Sequence, residues 1–239
     1  MQQQQGPRGA FILFEGVDRC GKSTQTSLLA KALQSKGVAV ESWNFPDRKN
    51  TVTGHAINEY LAGKQDHNDR AIHLLFSANR WEKSDALLRA LHSGTSLVVD
   101  RYAYSGVAYS AAKALPGMDA AWCKAPDAGL PAPDLVVYLE LDNAAAAARA
   151  GFGGERYEKA EFQDRVRAAF QQLKEPSWLV VDASQSVEQI HEQILAEALQ
   201  VVRRCKEGQP IQQLWGAAAA AAGEDRTPLA EQQQQQQAE

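Results

Sequence analysis

One stretch, residues 16–23 with the sequence GVDRCGKS, limits the possible folds of this chain more than any other feature. Two glycines with four residues between them, followed by lysine and serine, are typical of a loop that wraps phosphate groups. The apolar run Ala10–Phe14 predicts a buried strand before the loop, and apolar residues at helical spacing follow Lys22. In such a strand, turn and helix, backbone N–H groups and the positive helix end bind an anion. The stretch therefore predicts nucleotide binding and leaves the reaction open.

Five short apolar runs alternate with helical patterns along the chain. They lie at Ala10–Glu15, Val38–Trp43, Ser96–Asp100, Leu135–Leu141 and Trp178–Asp182. This alternation predicts an α/β fold, a five-stranded parallel sheet flanked by helices on both faces in three layers. Ligands of such folds bind beyond the carboxyl ends of the strands. Several charged residues lie just beyond predicted strands, and we expect them to share one site with the segment after Asp182: Asp18, Arg48, Asp100 and Arg101.

The 239 residues are enough for one such domain and too few for two ordinary ones. Residues 1–8 are predicted to be a disordered leader, residues 9–207 the folded domain, and residues 208–239 a low-complexity, disordered tail. The tail contains an alanine run at 217–222 and a glutamine run at 232–237. The first residues of the tail include three apolar side chains, Ile211, Leu214 and Trp215. Whether they pack on the domain is an open question at this point.

Charge and cysteine content exclude several classes of partner and environment. A net charge of −4 argues against a nucleic-acid polymer as the main partner. Cys20, Cys123 and Cys205 form no CxxC pair and no metal-ligand spacing, as expected in a reducing compartment. No apolar run approaches the roughly 20 residues of a membrane span, and no apolar signal segment precedes the first strand. We therefore expect a protein of the cytosol, with the nucleus left open, that has no membrane partner.

The loop alone is compatible with GTPases, motor ATPases and small-molecule kinases. The chain has no Asn-Lys-x-Asp guanine motif, and it lacks the basic or aromatic-rich segments common in ATPases that work on polymers. Arginines in separate segments favour phosphoryl transfer between two nucleotides, because a guanidinium can bind phosphate through two hydrogen bonds. They are Arg19, Arg48, Arg80 and Arg101, although each alone is also compatible with a surface ion pair. Phe76 and Arg80 share a helix face and could hold a base, with a core role for Phe76 as the alternative.

Several short sequence segments, taken together, resemble motifs of the thymidylate kinase family, and they are most similar to those of its eukaryotic members. They are Glu15–Arg19 with Gly21–Gln25, Phe45–Arg48, Leu74–Glu82, Val98–Tyr102, Ser105–Tyr109, Gly129–Pro131 and Glu155–Glu158. The similarity extends from about Arg8 to about Glu207. It implies a P-loop nucleoside monophosphate kinase fold and transfer of the γ-phosphoryl group of ATP to dTMP, giving dTDP and ADP for dTTP synthesis. It also implies Mg²⁺ as a cofactor and a homodimer formed through helices that flank the sheet.

The resemblance assigns roles to individual residues. It assigns catalysis to Arg19, Lys22 and Arg101. It assigns binding of ATP and its phosphates to Gly16, Asp18, Arg19, Cys20, Gly21, Lys22, Ser23, Thr24, Arg149 and Gln185. It assigns binding of dTMP to Asp18, Phe45, Arg48, Phe76, Arg80, Arg101, Ser105, Gly106, Tyr109 and Tyr157. It assigns magnesium, partly through water, to Ser23 and Asp100.

Some of the implied roles are specific. Asp18 would accept a hydrogen bond from the sugar 3′-hydroxyl, and Tyr109 would crowd a ribose 2′-hydroxyl. Phe76 would stack on thymine while Arg80 reads the edge of the base. A glycine-rich lid at about residues 149–157 would close over ATP, with the catalytic arginine placed in the phosphate loop instead. No general base is needed, because the acceptor phosphate is already largely ionised near neutral pH.

Several alternatives stay open. Gln185 stands where relatives often have a basic residue, so its contact with adenine is an open question. Cys20 is either a reactive thiol at a helix start or a small residue tolerated there. Another nucleotide or deoxynucleoside kinase is a competing interpretation, which Arg80 and Tyr109 argue against. A catalytically silent nucleotide-binding protein is a second, and four residues argue against it: Arg19, Lys22, Ser23 and Asp100.

Overall fold

A computed structural model of the chain describes residues 6–141, 156, 157 and 159–216. In chain order the elements are β1 (Phe11–Glu15), α1 (Lys22–Ser35), β2 (Val40–Asn44), α2 (Val52–Leu61), α3 (Asp69–His92), β3 (Ser96–Asp100), α4 (Ala103–Ala111), α5 (Ala120–Lys124), β4 (Leu135–Glu140), α6 (Ala160–Leu173), β5 (Leu179–Asp182) and α7 (Val187–Lys206). A short 3₁₀ turn, Ala125–Asp127, follows α5.

The five strands form one parallel sheet in the order β2-β3-β1-β4-β5. All five residues of the central strand β1 are buried, which explains its nearly continuous apolar sequence. Helices flank the sheet on both faces, so the predicted three-layer α/β fold is confirmed. Among the helices of the described residues, none is both long enough and apolar enough to cross a membrane.

The sheet register brings three loops to one edge. Phe14 of β1 pairs with Asp100 of β3, and Asp100 pairs with Asn44 of β2. Because these strands are parallel, the chain leaves all three at the same edge of the sheet. The segments that carry Asp18 and Arg48 therefore begin beside the end of β3.

The N-terminal boundary of the domain needs a correction, because Arg8 is buried rather than part of a disordered leader. Its guanidinium donates to both carboxylate oxygens of Asp134, at 2.7 and 2.6 Å, and to the carbonyl oxygens of Gln209 and Pro210, at 2.6 and 3.2 Å. A buried guanidinium needs such partners. These partners are distant from Arg8 in the sequence, so no local sequence pattern predicts the contacts. Residues 1–5 lie outside the described part.

The C-terminal boundary also moves, because residues 208–216 pack on the domain instead of belonging to a disordered tail. Two backbone hydrogen bonds of 2.8 Å join Leu214 to residues 129 and 130. The Leu214 side chain is buried, and the ring of Trp215 meets Tyr104 edge-on with 5.5 Å between centroids. The docking that the sequence left open therefore occurs, and the folded unit reaches residue 216. Residues 217–239 lie outside the described part.

Candidate active site

The phosphate loop has the local geometry that its sequence predicts. Gly16 and Gly21 have φ angles of 143° and 102°, which L-residues rarely adopt. A Cβ atom on Gly16 would lie 2.7 Å from the carbonyl oxygen of Leu139, so only glycine fits there. The Lys22 Nζ donates to the carbonyl oxygens of Gly16 and Val17, at 3.2 and 2.7 Å. The loop thus curls around its own lysine at the N-terminus of α1, where an anion is favoured.

Two arginines of the cleft have left-handed backbone conformations. Arg19, in the loop, and Arg101, just after β3, have φ angles of 65° and 64°. Such conformations are costly for residues with a Cβ, and they concentrate at functional sites. Arg19 lines the phosphate cleft together with Lys22. The strained backbone therefore supports the sequence-based assignment of these arginines to the site.

One carboxylate oxygen of Asp100 in the phosphate cleft could bind a hard cation. The Ser23 hydroxyl donates to Asp100 Oδ2 at 2.9 Å. Asp100 Oδ1 is buried and has no hydrogen-bond partner within the described residues. The predicted magnesium ligands are this hydroxyl and this carboxylate. Mg²⁺ commonly binds one or two such oxygen ligands of a protein, while substrate phosphates and water complete its coordination shell. The geometry therefore fits the predicted magnesium position.

Asp18 and Arg101 form an ion pair at the centre of the site. The Arg101 guanidinium also donates to the Gly16 carbonyl and the Ser105 hydroxyl, both at 3.2 Å. The Tyr109 hydroxyl donates to Asp18 Oδ2 at 2.9 Å. Burial disfavours the Asp18 carboxylate, but the charges of Arg101 and Lys22 outweigh it and lower its pKa. Asp18 is therefore an ionised acceptor at neutral pH.

Arg101 is equally committed to its charged form. Burial opposes the charge of its guanidinium, but Tyr109 and the carboxylates around it raise the pKa well above the usual arginine value. The guanidinium carbon also lies 5.1 Å from the centre of the Tyr109 ring. The side chain is therefore a fixed positive charge whose orientation is set by several partners.

Glu15 anchors the backbone that follows Arg101, and the sequence did not single it out as a site residue. It ends β1, is fully buried, and accepts hydrogen bonds from the Tyr102 and Ser105 backbone N–H groups, both at 3.0 Å, and from the Ser105 hydroxyl at 2.5 Å. Burial raises its pKa, against these hydrogen bonds and the charge of Arg101. The signal was a carboxylate at the end of an otherwise apolar strand.

Two adjoining pockets meet at this ion pair. The first is lined by Asp18, Arg19, Gly21, Lys22, Ser23, Thr24, Asp100 and Arg101. The second is lined by Asp18, Phe45, Pro46, Arg48, Leu61, Ile72, Phe76, Arg80, Arg101, Tyr102, Ser105, Gly106, Tyr109, Ser110, Lys113 and Tyr157. Asp18 and Arg101 belong to both pockets. All ten residues predicted from the resemblance to bind the acceptor therefore line one pocket, next to the phosphate cleft.

The second pocket also contains one member of a buried ion pair, Arg80. The Arg80 Nε and Nη2 donate to the two oxygens of Asp127, at 3.0 and 2.5 Å, and the Ser77 hydroxyl donates to Oδ1 at 2.7 Å. A Cβ atom on Gly106 would lie 2.8 Å from Arg80 Nη2, so glycine leaves room for the guanidinium. Asp127, which the sequence did not indicate, thus fixes the direction in which Arg80 points.

The sequence and the fold both match those of known proteins. A family model for thymidylate kinase matches residues 14–194. The chain is 47% identical to a thymidylate kinase of Homo sapiens over 211 residues, which is 87% of this chain and 98% of that one. It is 48% identical to a thymidylate kinase of Arabidopsis thaliana, over 88% of this chain and 79% of the relative.

The chain belongs to the thymidylate kinase family.

A solved structure of a family member agrees with the fold. The thymidylate kinase of Candida albicans superposes with a TM-score of 0.75 at 35% identity, covering 87% of this chain and 99% of that chain. The five-stranded sheet and the phosphate loop described above are thus those of a thymidylate kinase. The expectation from the sequence strings is confirmed at the level of family and fold.

Within this thymidylate kinase fold, three of the described residues predicted to bind ATP line neither pocket: Gly16, Cys20 and Gln185. Gln185 accepts a hydrogen bond from Gln193 at 2.8 Å and lines neither pocket. Cys20 is buried, which favours a small structural residue over an exposed reactive thiol. Lys22 Nζ lies 3.6 Å from its sulfur. Arg149 lies outside the described residues, as does most of the predicted lid at 149–157; only Arg156 and Tyr157 of the lid are described.

The loop after β2 is held by α3. Asn79 accepts from the Asp47 backbone N–H at 2.9 Å and donates to the Thr51 hydroxyl at 2.7 Å. A Cβ atom on Gly54 would lie 1.9 Å from the Asp47 carbonyl oxygen, so glycine lets α2 approach this loop. These contacts fix the backbone on both sides of Arg48 and thereby set its place in the acceptor pocket.

Gln163 of α6 is another residue that the sequence missed. Its amide oxygen accepts from the Asp18 backbone N–H at 3.1 Å, and its Nε2 donates to Asp18 Oδ2 at 2.6 Å. The same Nε2 donates to the Tyr157 carbonyl at 3.0 Å. Gln163 therefore connects the phosphate loop to the last described residue of the predicted lid. A glutamine in an amphipathic helix carries no signal of such a contact.

Proposed function

We propose that this protein is a dTMP kinase, transferring the γ-phosphoryl group of ATP to dTMP and releasing dTDP and ADP. The observation that carries this proposal is the pair of pockets joined at Asp18 and Arg101. One pocket offers a loop, a lysine and a helix N-terminus to a triphosphate. The other offers arginines, a half-buried aromatic ring and a buried guanidinium to a nucleotide. Donor and acceptor phosphates would meet at the shared residues.

In the proposed reaction the protein positions two phosphates and neutralises the charge between them. Lys22 and the loop N–H groups hold the outer phosphates of ATP, and Arg19 faces the transferring group from within the loop. Arg48 and Arg101 hold the acceptor phosphate. That phosphate attacks as an oxyanion and needs no base, so the carboxylates here bind and orient. The arginine and lysine charges stabilise the negative charge that spreads over the transferring oxygens.

The sugar and base are held on the acceptor side. Asp18, ionised at neutral pH, accepts a hydrogen bond from the 3′-hydroxyl. The Tyr109 hydroxyl bonds to Asp18, and its ring lies beside Arg101, which leaves little room for a ribose 2′-hydroxyl. Phe76 is half-buried and faces the same pocket as Arg80, an arrangement suited to stacking and edge recognition of a base.

Magnesium is part of this proposal. Ser23 and the buried Oδ1 of Asp100 would hold it against the ATP phosphates. The ion would neutralise part of the negative charge on the ATP phosphates.

The proposal is tested by measuring ADP release from Mg-ATP with dTMP, dUMP, dCMP, dGMP, AMP and UMP as acceptors. We expect a strong preference for dTMP with weaker turnover of dUMP. Preferred turnover of another monophosphate would keep the mechanism and overturn the assigned acceptor, in favour of another nucleotide kinase. ATP binding without turnover of any acceptor would favour the silent nucleotide-binding protein.

We also propose that two copies of the chain pair through helices that flank the sheet. Leu74 and Trp81 support this, because they lie seven residues apart on one face of α3 and are 47% and 43% exposed. Burying such side chains is a common source of dimer stability. Sedimentation equilibrium should give twice the chain mass for the wild-type protein and a shift toward single chains for Leu74→Glu. A wild-type protein that sediments as a single chain at micromolar concentration contradicts the pairing.

A further inference from the structure

The turn that carries Asp127, at residues 125–130, is held from two sides. On one side lies α3, whose Ser77 hydroxyl donates to the Pro126 carbonyl oxygen at 3.0 Å and to Asp127 Oδ1 at 2.7 Å. Asp127 is fully buried and accepts two further hydrogen bonds from Arg80. The direction of the Arg80 guanidinium in the acceptor pocket therefore depends on where this Asp127 turn lies.

The other side of the Asp127 turn is held by the C-terminal segment, residues 209–216. The Leu214 backbone N–H donates to the Leu130 carbonyl oxygen, and the Gly129 N–H donates to the Leu214 carbonyl oxygen, both at 2.8 Å. The pairing continues as an antiparallel bridge at Pro131. These hydrogen bonds begin two residues after the buried carboxylate, so they restrict its movement.

Trp215 contacts the chain just before the Asp127 turn. The Lys124 ammonium lies 5.5 Å from the centre of the Trp215 ring, and the same ring packs edge-on against Tyr104. The φ angle of Trp215 is 46°, a conformation that a bulky residue keeps only where its surroundings impose it. The C-terminal segment thus contacts the chain on both sides of the Asp127 carboxylate.

A shift of the Asp127 turn would be transmitted to Arg80. Separating a buried guanidinium from its carboxylate leaves an uncompensated charge, so the two groups are expected to move together. Arg80 lines the acceptor pocket, whereas no residue of the C-terminal segment lines that pocket or the phosphate cleft. Any effect of the segment on substrate binding must therefore pass through residues that it contacts.

We propose that Leu214 and Trp215 are positioning residues for the acceptor: they hold the Asp127 turn in place and thereby fix where Arg80 meets the nucleotide base. The inference rests on the proposed dTMP kinase activity. It assigns the C-terminal segment an effect on acceptor binding and none on ATP binding, because its contacts lead to Arg80 and not to the phosphate cleft.

The test compares the KM values for dTMP and ATP in full-length Leu214→Ala and Trp215→Ala with those of the control Ile211→Ala. Ile211 belongs to the same segment and packs, partly buried, on the core. We expect each of the first two variants to raise KM for dTMP about 3- to 10-fold, with little change in kcat or in KM for ATP. Ile211→Ala should leave all three constants unchanged. Calorimetric titration with dTMP should show the same loss of affinity.

A double-mutant cycle tests whether the effect passes through Asp127. In an Asp127→Asn background Arg80 is already held less firmly, so Trp215→Ala should raise KM for dTMP by a clearly smaller factor than in the wild-type background. Equal factors in the two backgrounds contradict the proposed route. KM values for dTMP within twofold of wild type in both alanine variants overturn the inference and leave the segment a purely structural role.

Two further outcomes are distinguishable. If Leu214→Ala does not fold, Trp215→Ala still tests the inference, because the Trp215 side chain is only half-buried. Failure of the proposed function has a different signature, since the wild-type protein would then not turn over dTMP at all.

Discussion

Replacing Arg19 by alanine is expected to lower kcat for dTMP phosphorylation by about 10³-fold or more, while the Kd for ATP changes little. In the proposed binding mode Lys22 and the loop backbone hold the outer phosphates, so the variant should lose few contacts with ATP in its ground state. The charge of Arg19 matters most when negative charge spreads over the transferring group. The measurement pairs steady-state kcat with direct ATP binding by calorimetry.

The backbone at Arg19 provides the control for this prediction. Its φ of 65° is unfavourable for any residue with a Cβ. Alanine, lysine and glutamine at this position therefore carry a similar backbone cost, and differences in kcat among them report the side chain. Arg19→Lys should recover part of the rate through its charge, and Arg19→Gln should not. If Arg19→Ala kept kcat within tenfold of wild type, the catalytic arginine would have to be another residue.

Replacing Asp127 by alanine is expected to raise KM for dTMP about 10- to 100-fold and to lower the free energy of unfolding by about 3–5 kcal/mol. The variant leaves the buried guanidinium of Arg80 without its carboxylate. That loss destabilises the fold and frees the side chain to leave the base edge. Asp127→Asn keeps one acceptor oxygen, so it should raise KM and lower the free energy of unfolding by smaller amounts. It replaces the alanine variant in these measurements if that variant does not fold.

A second buried ion pair makes this prediction discriminating. Arg8 and Asp134 form a similar bidentate ion pair, and both side chains are almost fully buried. Neither residue lines either pocket. Asp134→Ala should therefore destabilise the protein about as much as Asp127→Ala in urea unfolding, and its KM for dTMP should match wild type. Equal KM changes in the two variants would mean that Asp127 acts only through stability.

The parts of this protein that the sequence predicted are those in which neighbouring residues carry the information. The phosphate loop was predictable because glycine spacing, a buried strand and a helix start all occur within about 25 residues. The five strands were predictable because a parallel strand covered on both faces must be apolar throughout. The likeness of several strings to one family then placed the acceptor residues, and those residues do line one pocket.

What only the tertiary structure decided are contacts between residues far apart in the chain. Asp127 orients Arg80 and Gln163 holds Asp18, and neither pair shares an element or a local pattern. The folding of residues 208–216 has the same origin, since its few apolar side chains gain burial only against residues much earlier in the chain, such as Leu130 and Tyr104. Backbone strain at Arg19 was equally unpredictable, because an isolated chain avoids the left-handed region that the packed loop imposes. Hydrogen-bond direction and burial depend on which surfaces come into contact. Those contacts form only when the helices pack on the sheet.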